Sequence, residues 1–133
     1  MESTCYCTTL RDAARRTTAK YDEALKPIGI GVAQFGLLRK LARSGPTTMT
    51  VLGRLADLDR STIGRNVRVL ERMELVLLER GEVDQRETMV SLTPEGVRAV
   101  EEGDRLWQGA QDLIEARFGT EAARTLIELL HEL

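Results

Sequence analysis

The chain has 133 residues, of which 42% are hydrophobic and 30% charged, with a formal net charge of −2. That is one domain's worth of chain with enough apolar residues for a single core, which excludes a disordered tail, and no apolar run approaches the ~20 residues needed to cross a bilayer. Aromatics make up only 4%, so Leu, Val, Ile and Ala must fill the core, a composition that suits packed helices better than a β-sandwich.

The first residues, Met1 to Cys7, lack a basic patch followed by an apolar stretch, so no signal peptide is expected. Cys5 and Cys7 are too close in sequence to bridge each other without strain, and a reducing cytoplasm is the expected compartment. Residues 8 to 26 carry no Gly or Pro and place Leu10, Ala13, Ala14, Tyr21, Ala24 and Leu25 in a pattern that predicts a long helix, stopped at Pro27 and Gly29. Phe35, Leu38, Leu41 and Ala42 share one face of a second helix, from about Val32 to Arg43, which Ser44-Gly45-Pro46 breaks. Thr47 or Thr48 caps a third helix with Val51, Leu52, Leu55 and Ala56 inward; after a turn at Asp57-Leu58-Asp59, Asp59 caps a fourth, from Arg60 to about Met73.

The period then changes. Residues 75–80 and 87–92 read as strands around the polar turn 81–86, a two-stranded hairpin. Thr93-Pro94 starts a helix that runs to Phe118, Gly119-Thr120 interrupts, and Glu121 to Leu133 form the last helix. The order predicts a mainly α fold in which a two-stranded wing follows a tight helical pair: a winged helix-turn-helix.

The segment from Arg60 to Arg86 carries the candidate chemistry. At 100° per residue, Ile63, Val67 and Leu70 fall on one side of the fourth helix, and Ser61, Arg65, Arg68 and Arg72 on the other, with Thr62 and Asn66 on a flank. Arg reads guanine and Asn reads adenine by paired hydrogen bonds in the major groove, and hydroxyls hold phosphates or base edges. Ser61, Thr62, Arg65 and Asn66 are therefore expected at the bases, and Arg60, Arg68 and Arg72 on phosphates or in local ion pairs. Arg86 at the wing tip suits a minor groove, with Asp84 as its structural partner. Charge is unevenly spread: residues 1–46 balance to +4, residues 47–92 to −1 and residues 93–133 to −5, so DNA is kept from the C-terminal end.

These residues resemble the MarR family of bacterial regulators. The resemblance lies in Leu58-Asp59-Arg60-Ser61-Thr62-Ile63-Gly64-Arg65, Leu75-Val76, Asp84-Gln85-Arg86 and Ser91-Leu92-Thr93-Pro94-Glu95-Gly96, with Gln34-Phe35 and Leu37-Leu38 upstream. It implies one domain over residues 1–133, with dimerisation helices in 1–30 and 94–133 and a DNA-binding lobe in 32–93. It also implies a homodimer on a pseudo-palindromic operator, acting as a repressor, with Gln85 and Arg86 in the wing. Leu126, Ile127, Leu129 and Leu130, clustered where a lone chain frays, support a dimer independently. Asp57 stands where the family often has Gly, and Leu78 and Gln85 where basic residues are common, so a shallow salt dependence is expected.

The release signal is open between two readings. Cys7 at the start of the first helix, with Cys5 beside it and Tyr21 fourteen positions on, resembles the peroxide-sensing branch of the family, although Arg11 stands where that branch has a tyrosine. The alternative within the family is a small aromatic ligand. A cysteine enzyme is disfavoured because His131 is the one histidine and lies at the far end of the chain, so neither catalysis nor a cofactor is expected. A metal site is not expected either: Cys5 and Cys7 shared across a dimer are the only ligand set left. A winged helix that binds protein instead of DNA leaves the Ser61-Thr62-Arg65-Asn66 face unexplained.

Overall fold

The computed structural model describes residues 5–133; the reading of residues 1–4 lies outside them. In chain order the elements are α1 (Tyr6–Ala24), a 3-10 turn (Lys26–Ile28), α2 (Val32–Ser44), β1 (Thr47–Thr48), α3 (Met49–Ala56), α4 (Arg60–Arg72), β2 (Val76–Arg80), β3 (Thr88–Leu92), α5 (Pro94–Phe118) and α6 (Thr120–His131). Side-chain caps set several starts. Thr48 accepts from the N–H of Val51, Asp59 from that of Thr62 and Thr93 from that of Gly96, each satisfying a donor that the first helical turn leaves over.

The predicted hairpin is present, and a third strand joins it. Thr47 and Thr48 pair antiparallel with Val90 and Met89, giving the order β1-β3-β2. Two residues between a Pro and a helix give no period, so the pattern offered no sign of β1. On the other side Val76 faces Leu92 and Arg80 faces Thr88. The extra strand ties the wing to the start of α3 and relieves the marginality of a lone hairpin.

The core lies between α2, α4, the sheet and the first half of α5. Phe35, Leu38, Leu52, Ile63, Val67, Leu70 and Val90 are at most 2% exposed. Each large apolar side chain sealed there contributes roughly 1.5–3 kcal/mol of transfer free energy. Two glycines permit the close approaches. A Cβ on Gly103 would stand 2.2 Å from the Phe35 ring, and one on Gly96 would stand 2.1 Å from the Leu75 carbonyl oxygen.

The backbone turns left-handed at two non-glycine residues, Asp57 (φ 54°) and Glu74 (φ 61°). Asp57 closes α3 in the conformation its side chain tolerates. Glu74 has no such excuse, and it is held from outside: the Thr93 hydroxyl donates to its carbonyl at 2.6 Å, and the Thr93 N–H donates to Leu75 O at 3.1 Å. We expect Glu74→Gly to raise stability by about 0.5–1 kcal/mol in chemical denaturation. Gly103→Ala should lower it by about 1–3 kcal/mol through overpacking against Phe35. Equal effects from the two would show that neither the left-handed backbone at Glu74 nor the contact at Gly103 matters to stability in the way described.

Candidate nucleic-acid interface

α4 presents its two sides as its sequence requires. Ile63, Val67 and Leu70 are buried, while Arg60, Ser61, Arg65, Arg68 and Arg72 are exposed and Thr62 and Asn66 are half-buried on the flank. Gly53 of α3 lets the pair cross closely, since a Cβ there would lie 3.3 Å from Leu58 O and 3.4 Å from Ile63 Cγ2. Among the described residues none of the four arginines of α4 is tied into an ion pair, so the local pairing envisaged for Arg60, Arg68 and Arg72 is not what this structure holds.

The start of α4 is more engaged than its sequence suggests. The Asp59 carboxylate accepts the Thr62 N–H at 2.8 Å and the Ser61 hydroxyl at 3.0 Å. Arg65 Nη2 lies 3.4 Å from Thr62 Oγ1, and Asn66 Nδ2 donates to Thr62 O at 3.1 Å. Of the residues expected at the bases, Ser61 and Arg65 are exposed. Asn66 is turned onto its helix.

At the wing, Gly81 N–H donates to Glu87 O at 3.0 Å, and the turn is so tight that a Cβ on Gly81 would meet Asp84 O at 2.5 Å. Asp84 both closes the turn and pairs with arginine, as expected: Oδ1 accepts from Arg86 N at 3.0 Å and from Nε at 3.2 Å. Gln85 and Arg86 are exposed at the tip, beyond the edge of the sheet.

Both N-terminal thiols lie at the start of α1, where the sequence reading put Cys7. Cys5, not Cys7, is the N-cap of α1: its sulfur accepts from Thr8 N at 3.5 Å and from Thr8 Oγ1 at 3.4 Å. The helix begins at Tyr6, two residues earlier than periodicity suggested, so Cys7 lies inside the first turn. Those bonds, the Thr8 hydroxyl first, hold the Cys5 thiol below its ordinary range. Tyr21 is about 21 Å along α1 from Cys7, out of reach within one chain. Its hydroxyl donates to Gln111 Oε1 on α5, and burial pushes its phenol up.

Taken together, a short helical pair, a second helix with an arginine-bearing outer face and a three-stranded wing define a winged helix-turn-helix protein. A family model described as the MarR family matches residues 28–87. YwoH of Bacillus subtilis, an uncharacterized HTH-type transcriptional regulator, is 31% identical over 93 residues, 70% of this chain and 67% of its own. A regulator described as putative for the hcr operon of Thauera aromatica is 28% identical over 105 residues, covering 79% of this chain and 63% of its own, so the chain spans about two thirds of the length of both. Among solved structures, the M. tuberculosis transcriptional regulator MosR, in complex with DNA, is 33% identical with a TM-score of 0.80, over 94% of this chain and 92% of that one. A probable transcriptional regulator from Pseudomonas aeruginosa superposes with a TM-score of 0.91 at 27% identity, over 97% and 96%. The chain belongs to the MarR family of transcriptional regulators, which is not a family of enzymes.

The caps make the interface acid-sensitive. Hydrogen bonds from Thr62 and Ser61 hold the Asp59 carboxyl below the ordinary carboxylate range, and those from Arg86 do the same to Asp84. A carboxyl depressed in the folded state stabilises it above the unfolded carboxylate value and loses that contribution as pH falls through the folded value. In denaturation measured across pH, Asp59→Asn, which still caps but does not titrate, should flatten the decline below about pH 4. An acid limb identical to the parent's would show that this carboxylate is not responsible.

Proposed function

We propose that two copies of this chain form a symmetric dimer that represses transcription by occupying a pseudo-palindromic operator, with α4 in successive major grooves and the wing tips toward the flanking minor grooves. The observation that carries this reading is the outer face of α4, where Arg60, Arg65, Arg68 and Arg72 are exposed and, among the described residues, none is in an ion pair. Arg65, with Ser61, Thr62 and Asn66 beside it, addresses base edges; Arg60, Arg68 and Arg72 neutralise phosphates; Gln85 and Arg86 extend the contact from the wing. The presence of DNA in the MosR crystal supports the same use of a related surface.

The dimer follows from apolar surface left over. α1, α5 and α6 enclose a groove of about 810 Å³ lined by Leu10, Tyr21, Ile114, Phe118, Leu126, Ile127 and Leu130. Leu113, Phe118 and Ile127 are 76%, 53% and 53% exposed, too much apolar area on neighbouring helices for a chain that stays alone in water. This corresponds to the division into dimerisation helices over 1–30 and 94–133 and a DNA-binding lobe over 32–93. Two-fold symmetry then sets half-sites on the order of 10 bp apart.

Release by a small aromatic ligand or by a peroxide completes the reading, and the exposed Cys5 sulfur, which accepts from Thr8 at the start of α1, favours the peroxide. Its thiolate would attack a hydroperoxide O–O bond, giving the sulfenic acid and releasing the alcohol or water. Cys5→Ser should then keep DNA binding and lose the peroxide response.

The test of DNA binding is a titration of the promoter fragment of its own gene at several salt concentrations. Arg65→Ala should weaken operator binding about 10- to 100-fold while sparing unrelated DNA. Arg86→Ala should weaken all sequences alike and lower the salt slope by about one unit. Parent-like binding by both variants would leave the protein-binding alternative in possession of the fold.

A further inference from the structure

One half-buried arginine lies outside the surface described so far. Arg39 of α2 places Nε 3.1 Å from Asp104 Oδ1 of α5, and its guanidinium carbon stands 4.2 Å from the centre of the Trp107 ring and 5.9 Å from that of Phe35. The carboxylate oxygen it meets is buried, and the contact is an ion pair without an aligned hydrogen bond. One turn of α5 before Trp107, Gly103 presses against Phe35 with no space for a side chain. α2 and α5 are thus locked in both distance and rotation at one level.

The level matters. Before it, Ala99 and Val100 of α5 belong to the lobe core that also seats α4. Beyond it α5 lies on α1, where Gln111 accepts from Tyr21. The Arg39 cluster sits where α5 leaves the lobe for the apolar groove. A partly buried ion pair adds little net stability over an apolar pair of the same shape, so stability does not account for this one. The stacking of the guanidinium on Trp107, with its charge held at Asp104, fixes an angle.

We infer that Arg39, through Asp104 and Trp107, is a positioning residue that sets the angle between the DNA-binding lobe and the distal half of α5, and so the separation of the two α4 helices and the operator half-site spacing the dimer accepts. This rests on the dimeric DNA-binding reading above. Arg39 reaches no base and, pinned between helices, no phosphate. Loosening the clamp lets the lobes rock, so the dimer binds the native spacing less well and distinguishes it less from others.

Two measurements on the whole chain test this. In the first, a spin label at Glu71→Cys on α4, in a Cys5→Ser, Cys7→Ser background and without DNA, reports the separation of the two lobes by pulsed dipolar spectroscopy. The parent should give one narrow distance; Arg39→Gln and Asp104→Asn should each broaden or displace it, and Arg39→Lys, which keeps the charge but not the planar stack, should fall between. In the second, operator titration, both variants should bind roughly tenfold more weakly, with an unchanged salt slope and a flattened preference for the native spacing over one base pair more.

Asp104→Asn is decisive because it removes a negative charge: electrostatics alone would tighten DNA binding, and tightening would overturn the clamp. A reduced salt slope for Arg39→Gln would make Arg39 a phosphate contact and overturn it equally. So would distances as narrow as the parent's with spacing preference intact. A parent without any interlabel distance would remove the dimer and this inference with it. A parent that keeps its distance but binds no operator would remove the DNA reading alone, and the distance distributions would still decide the clamp.

Discussion

The seating of Ile63, Val67 and Leu70 against the lobe core is the constraint on which the rest depends. Burying that stripe fixes the rotation of α4 about its own axis, and fixing the rotation sends Arg65, Arg68 and Arg72 outward together. No contact to the arginines themselves is needed. The same stripe makes the crossing at Gly53 tight, because a Cβ there would stand 3.4 Å from Ile63 Cγ2. The chemistry of the outer face is thus a by-product of packing on the inner one, and it can vary without disturbing the fold.

The apolar residues divide into two populations. One closes the lobe and reaches near-complete burial within a single chain. The other, on α1, the distal half of α5 and α6, remains in contact with solvent: α6 has no buried residue and α1 has none. Helices of this kind gain most of their stability from packing, and these keep apolar side chains open to solvent. α5 is the element common to both populations, which is why the one place where it passes from the first to the second carries both a missing side chain, at Gly103, and a stacked guanidinium, at Arg39.

Much of this was legible in the sequence because the informative signals are local. Caps at Thr48, Asp59 and Thr93, the Pro at the start of α5 and the glycine after α5 place helix ends within a residue or two. The two-sided character of α4 needs only its own period. What escaped depends on partners distant in sequence. β1 exists because β3 lies beside it, and Glu74 takes a left-handed turn because Thr93, nineteen residues on, holds its carbonyl. The Arg39–Asp104 pair spans two helices with no shared motif. Cys5 was missed as the cap for a different reason: sulfur is a weak acceptor, and a helix start is not usually sought at a cysteine.

Thr93 gives the molecule its mechanical character. Its backbone and hydroxyl both grip the short link between α4 and β2, at Leu75 O and Glu74 O, while it is itself the N-cap of α5. The long helix, the reading helix and the wing therefore share a single rivet. In the dimer proposed above, a tilt of the first half of α5 would carry α4 and the wing with it, and the gap between the two copies would change without loss of a core contact in either. Were such a dimer released by an effector, the signal would have to supply only the small free energy of a swing, and not that of partial unfolding.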